Sequence, residues 1–343
     1  MHTMQIPLRR RYASFLIAII ALPAFAVVQL DAKSNKSTRP TAVDIAASWP
    51  SKPLRILVGF PGGSSPDATA RTLAEGLSKA LGQPVVVDNK PGASGNIAAD
   101  MVAKSSDDHT LGVVINGNLT SAKLLNPKLP YDPATDFQFV SLLAKAPLVL
   151  VAQPSLPSGH AFFDAAKASG SQWNYGSPGN GSVAHLGMEL LKSKAPGLQA
   201  VHIPFAGSPQ IVTSMMGGQV QLAFMAPGVA LPQVRAGKLK AIGITGGRSP
   251  LVPDIPPLSD AGIQGVNLEV WNALIGPANL PPAIVRKLSA AVVTVLRDPD
   301  VRQRLFNQGW QTVGTSPEGL ALRVREETAQ LGAIIKNQGI KSE

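Results

Sequence analysis

The chain contains no cysteine, which excludes a disulfide scaffold, thiolate chemistry and a lipid anchor on a cysteine. Aromatic residues make up only 5% of it, and the lysines and arginines are scattered. Basic runs interleaved with aromatics, the pattern that single-stranded nucleic acid requires, are therefore missing. No apolar run approaches the roughly 20 residues of a membrane span. No G-x-S-x-G elbow occurs, so a serine nucleophile of that type is excluded. The five histidines make no metal set: His185 and Glu189 share a helix face at i,i+4, but a third ligand is lacking. No carboxylate pair clusters and no Ser/His/Asp order emerges. The expectation is no enzyme activity, no metal and no cofactor.

What is present begins with an export signal. Arg9-Arg10-Arg11 supplies a positive segment, Phe15 to Leu22 an apolar one, and Ala24-Phe25-Ala26 a small-x-small cleavage site. Residues 1–26 are thus expected to be a signal peptide, with the mature chain starting near Val27 in the periplasm. Residues 27–48 are polar and proline-containing and read as a flexible leader. The net charge is +10. Three of those charges lie in the signal, leaving a mildly basic exported protein that is compatible with an anionic solute.

The folded part is long enough for two domains. Leu54–Val58 reads as a strand and Gly59 to Asp67 as a glycine turn. The helix Ala68 to Leu81 follows, with Ser65 as N-cap and Pro66 at its first position. Strand Val85–Asn89, helix Asn96 to Lys104 and strand Thr110 to Ile115 continue a rhythm that predicts a parallel sheet covered by helices. Long apolar runs over Phe137 to Ala152 interrupt it. A second α/β series then runs through strand Trp173 to Tyr175, helix Val183 to Lys192, strand Val201 to Phe205, helix Gln210 to Met216, and strands Val220 to Met225 and Leu239 to Thr245. The apolar stretch Val266 to Ile275 leads to three C-terminal helices. Beginning one α/β unit, completing another and returning implies two lobes joined by two crossings: residues 49–147 with 270–343, and residues 148–269.

The stretch Gly176-Ser177-Pro178-Gly179-Asn180-Gly181-Ser182-Val183 joins a strand to a helix. Its glycines let several N–H groups turn toward one point, and Ser182 is a good N-cap type. This reads as an anion cradle with Ser177 and Ser182 at its rim, or as no more than a tight connection. Gly179-x-Gly181-x-x-Ala184 imitates a dinucleotide fingerprint, but the acidic residue expected about 20 residues on is lacking. The first turn offers the equivalent residues Phe60, Gly62, Gly63, Ser64, Ser65 and Asp67. Asp67 serves either the start of its own helix or a ligand amine or hydroxyl. His185 either lines the cradle or is structural, and His202 is expected to be structural. Both glycine turns sit at carboxyl ends of strands, where open α/β sheets bind ligands. Trp271 and Trp310 read as packing residues.

Several landmarks in order resemble the extracytoplasmic receptors of tripartite tricarboxylate transporters, the Bug receptors. They include Trp49-Pro50-Ser51-Lys52-Pro53-Leu54-Arg55, the glycine turn ending in Asp67, and Gly82-Gln83-Pro84-Val85-Val86-Val87-Asp88-Asn89-Lys90-Pro91-Gly92. Leu129-Pro130-Tyr131-Asp132-Pro133, the cradle with His185-Leu186, and His202-Ile203-Pro204-Phe205 follow. The resemblance implies a type II periplasmic-binding-protein fold whose two α/β lobes close on a ligand cleft. It also implies capture of a small organic carboxylate (a di- or tricarboxylate, an aromatic acid or an amino acid), held largely by backbone N–H groups and water from both turns. Delivery to membrane transporter subunits would follow, with no nucleic-acid partner. Two departures fall near the site: the first turn has one proline before its glycine pair where the family more often has two, and Phe205 stands where Tyr is common. Two other classes remain open, a sensor that reports occupancy to a membrane partner and a serine hydrolase using Ser177 or Ser182 with His185.

Overall fold

The computed structural model describes residues 46–341. The expected signal peptide and nearly all of the expected leader lie outside the described residues. Residues 46–48 form one helical turn, and Lys287 Nζ donates to the carbonyls of Ala46 and Trp49 at 2.8 and 2.5 Å.

Eleven strands among the described residues form two mixed sheets. In the first, β1 (Leu54–Val58) lies between β2 (Val85–Asn89) and β3 (Thr110–Ile115), all parallel. Beyond β3 comes β10 (Glu269–Pro277), antiparallel to it and to β4 (Phe137–Pro147), with the short β11 (Gln311–Thr312) at the edge. The second sheet has the order β7 (Val201–Pro204), β6 (Asn174–Ser177), β8 (Leu222–Met225), β5 (Val149–Ala152), β9 (Lys240–Ile244). There β6 runs parallel to both β7 and β8, while β5 is antiparallel to β8 and β9.

The parallel arrangement expected of the first unit is found in β2, β1 and β3, and each sheet becomes mixed where antiparallel strands join it. β5 and β10 are the strands by which the chain enters each sheet from the other. A strand entering there must run away from the cleft, opposite to the strands whose carboxyl ends face it.

Leu148 is the single residue between β4 and β5, so the first crossing has almost no slack. The return crossing follows β9 at Thr245. Leu148 and Thr245 exchange hydrogen bonds: Thr245 N donates to the Leu148 carbonyl, and Leu148 N donates to Thr245 Oγ1, both at 2.9 Å. Thr245 Oγ1 donates in turn to the Leu268 carbonyl at 2.6 Å. One buried threonine thus ties both crossings together.

Helix starts and ends match the expectation within a few residues, with two instructive exceptions. The first helix, α1, spans Ser65–Leu81 with Ser64 as N-cap and Pro66 at its second position, not Ser65 and the first. A whole helix, Pro227–Arg235, was not expected; it carries Pro232 in its interior. Trp271 and Trp310 are buried as expected. The indole of Trp271 also donates to the buried Glu327 carboxylate at 2.6 Å.

Candidate functional site

Four helices begin around one space between the sheets. They are α1 after β1, Val183–Lys194 after β6, Ser208–Met216 after β7 and Pro227–Arg235 after β8. The space is a cavity of about 50 Å³ walled by Phe60, Ser64, Ser65 and Pro66 from the first turn and by Pro178, Ser182, Val183 and Ala184 from the second. Ser208 and Ala226 bring the other two helix starts, and Ile115, Leu148, Phe224, Met225, Val270 and Asn272 complete the wall. None of these residues is charged. The field inside is therefore set by dipoles. The first amides of each helix have no carbonyl one turn back within it, and each N-terminus carries roughly half a positive charge. Such a site suits an anion without a buried counter-charge.

The first turn is shaped by Asp67. Gly63 takes φ of 78°, a left-handed geometry that a side chain disfavours. Its N–H donates to Asp67 Oδ2 at 2.9 Å. Arg71 Nε donates to the same oxygen at 3.0 Å, and Asn89 Nδ2 to Oδ1 at 2.9 Å. Burial opposes ionisation of Asp67, but the bonds from Arg71, Gly63 and Asn89 and the Arg71 charge outweigh it and hold the carboxyl below its usual range. Asp67 thus holds the first turn and the start of its own helix, and it is not among the residues of the cavity wall. Ser64, though the N-cap, makes no capping bond; its buried Oγ has no hydrogen-bond partner among the described residues.

The second turn is fixed from within. Ser177 is fully buried; its Oγ donates to the Gly179 carbonyl (3.1 Å), accepts from Gly179 N (3.2 Å) and lies 2.7 Å from His202 Nε2. His202 packs in a cluster of near-parallel rings with Tyr175 (4.8 Å, 22°) and His185 (4.2 Å, 12°), which are themselves 6.4 Å apart. Burial first, then the neighbouring His185 and Lys192, push His202 down to about 3, so its imidazole is neutral near pH 7. His185 Nδ1 accepts from Gly181 N at 3.1 Å, and Ser182 Oγ caps the helix by accepting from His185 N at 3.3 Å. Ser177 is therefore not at the rim as expected but inside the turn, and both histidines serve its shape.

Of the residues expected from the sequence, the cavity wall includes Phe60, Ser64, Ser65, Ser182 and Val183. Gly62, Gly63, Asp67, Ser177, Gly181 and His185 are not wall residues. Gly179, Asn180 and Phe205 face a separate, more open space of about 440 Å³ that also borders Gly92, Ala93, Ser94 and Asn96. The loops of the two sheets touch there: Ser121 Oγ donates to the Gly181 carbonyl at 2.5 Å, and a Cβ at Gly179 would lie 2.0 Å from Ser94 Oγ.

Sequence reading missed Ser208, Ala226, Ile115, Val270 and Asn272. A signal for Ser208 existed, since Ser208-Pro209 repeats the Ser65-Pro66 pair at another helix start. Asn272 was visible as the one amide in an apolar strand. Elsewhere, Asp107, Asp108 and His109 converge, but the imidazole is occupied on both sides. Its Nδ1 contacts Asp108 at 2.6 Å, and its Nε2 accepts from Ser51 N at 3.1 Å.

The model of the tripartite tricarboxylate transporter family receptor matches residues 69–340. Protein BugT of Bordetella pertussis is 31% identical over 304 residues, 86% of this chain and 92% of BugT. Two solved structures from Rhodopseudomonas palustris are similar throughout. MatC, solved with bound malate, is 33% identical with TM-score 0.79, covering 84% of this chain and 100% of its own. Rpa4515, solved with adipate, is 30% identical with TM-score 0.83, covering 86% and 100%.

Proposed function

The chain belongs to the tripartite tricarboxylate transporter receptor family, the Bug receptors, whose members are solute-binding receptors and not enzymes; on that premise we propose that it captures a small organic carboxylate in the periplasm and delivers it to a tripartite tricarboxylate-type membrane transporter. The observation that carries the proposal is the uncharged cavity on which four helix N-termini converge. Neutral donors of that kind hold a carboxylate while leaving no charge stranded in the empty cleft. The malate of MatC and the adipate of Rpa4515 are acids of the class proposed. Among the described residues no helix is long and apolar enough to cross a membrane, in keeping with a receptor that works beside its transporter.

The proposed lobes are residues 49–147 with 270–343 and residues 148–269, hinged at Leu148 and Thr245. On this reading the lobes part to admit the acid and close on it, with the cavity between them in the closed form. The glycine-turn residues behind the wall act by holding the donors in place: Gly62, Gly63 and Asp67 in one turn, Ser177, Gly181 and His185 in the other. Gly179, Asn180 and Phe205 guard the approach.

Thermal-shift and calorimetric screening of di- and tricarboxylates, aromatic acids and amino acids tests the proposal. At a concentration 100 times its Kd, a true ligand adds about 2.7 kcal/mol of stability and is recovered unchanged. Stabilisation by sugars or cations but by no acid would overturn the carboxylate reading. Deleting the gene should abolish uptake of the labelled acid; uptake that continues while an induced response is lost would replace delivery with sensing.

A further inference from the structure

Asn272 lies in β10 within the apolar run Val270 to Ile275, fully buried and facing the cavity. Its orientation is fixed from behind. Thr69 on α1 donates its hydroxyl hydrogen to the Ser65 carbonyl at 3.1 Å. The Thr69 oxygen is therefore an acceptor toward Asn272, and the amide nitrogen must face it, at 2.9 Å. That leaves Oδ1 on the other side of the amide, buried and without a hydrogen-bond partner among the described residues. A break in the β10–β4 register falls between Asn272 and Ala273. Irregularities of this kind re-aim side chains at functional sites.

A buried acceptor without a donor is unfavourable unless a ligand supplies one. It is also misplaced for a carboxylate, because Oδ1 presents negative partial charge in a cavity whose other polar groups favour an anion. The bound molecule must then do two things, placing carboxylate oxygens on the helix starts and an N–H or O–H on Asn272. Ser64 Oγ, the other buried wall atom without a partner among the described residues, can donate or accept and so imposes no such choice. Building on the carboxylate reading above, we propose that Asn272 is a specificity-determining residue. Its Oδ1 accepts from a hydroxyl or ammonium on the ligand's carbon skeleton, so a donor-substituted small acid binds in preference to the same acid without the substituent.

Matched pairs measured by calorimetry test this: malate with succinate, aspartate with succinate, and lactate with propionate. In the natural protein the substituted member of at least one pair should bind about tenfold tighter or more, the consequence of leaving a buried acceptor unmet in the plain acid. The malate and aspartate arms separate hydroxyl from ammonium. Asn272→Leu, of similar volume, should bring that ratio close to one. Thr69→Val removes the group that orients the amide and should lower the ratio with Oδ1 still present. It also serves as an independent probe if Asn272→Leu fails to fold. Equal binding within every pair, or a ratio unchanged in the folded variants, overturns the role of Asn272 and leaves the carboxylate reading intact. Failure to bind any of these acids, or any other carboxylate, overturns that reading and the inference with it.

Discussion

Acid should loosen this protein at one identifiable place, the stacked imidazole of His202. In the folded chain burial, followed by the influence of His185 and Lys192, lowers its pKa from 6.5 to about 3. The unfolded chain takes up a proton near pH 6.5 that the native state refuses until about pH 3. Stability from this group is therefore complete above pH 6.5 and falls as pH is lowered through that window. The slope is at most about 1.4 kcal/mol per pH unit for one proton, so moving from pH 6.5 to about 5 should remove about 2 kcal/mol. That is a substantial part of the roughly 5–15 kcal/mol that holds a domain folded. Above about pH 5 the acids held below their usual range, such as Asp67, stay ionised in both states and contribute little. Chemical denaturation of the natural protein and of His202→Gln at about pH 7.5, 6.5 and 5 isolates the effect, because Gln can still hydrogen-bond Ser177 Oγ. The natural protein should lose about 2 kcal/mol more than the variant between the last two points. Equal losses, or an NMR titration of His202 near pH 6.5 in the folded protein, would refute the reasoning.

Three further outcomes are expected. Gly181→Val should weaken ligand binding more than tenfold in a folded protein. The residue has φ of 75°, and an added Cβ would lie 2.8 Å from Leu125 Cδ1, so the substitution strains the turn and props the loops apart; calorimetry with circular dichroism checks it, against Ser182→Ala, which should cost about 1 kcal/mol of stability through the lost cap. Asp67→Asn should lower stability by roughly 1–3 kcal/mol, since it strips the Arg71 partner of charge and leaves one donor facing another; denaturant midpoints measure this, and a neutral result would show that the first turn holds itself. Thr245→Val should cost about 1–2 kcal/mol, because it leaves the Leu148 amide unpaired at the crossing. It should also change the extent of lobe closure seen by small-angle scattering with and without ligand.

The half of the site that could be read from the sequence is the half encoded locally. A helix start needs a cap, a permissive glycine or a proline in the first turn, and these occur within a few residues of each other: Gly63-Ser64-Ser65-Pro66 in one place, Gly181-Ser182 in another. Their chemistry is visible before any folding is considered, although whether Ser64 or Ser65 caps depends on how Asp67 grips the turn. The other half is encoded by register. Asn272 faces the cavity because β10 pairs antiparallel with β3, setting it opposite Ile115, and because Val270, two residues earlier, shares its side of the strand. No local pattern specifies that pairing. It follows from a chain that leaves the first sheet at Leu148, builds the second, and returns more than a hundred residues later in the opposite direction. The same division accounts for what the sequence reading left out and for the misplacing of Ser177. Local β-α-β rhythm gave the parallel strands β1, β2 and β3 but is silent about strands arriving from another sheet, and Ser177 was placed at the rim by its neighbours in sequence, while its actual partner, His202, comes from β7, 25 residues away. The backbone donors proposed to bind an anion are thus legible in the chain, whereas the sequence marks Asn272 as an unusual amide in an apolar strand without showing that it meets them. If the proposal holds, affinity and selectivity are separable, and exchange of Asn272 should redirect the choice of acid without dismantling the helix starts proposed to hold it.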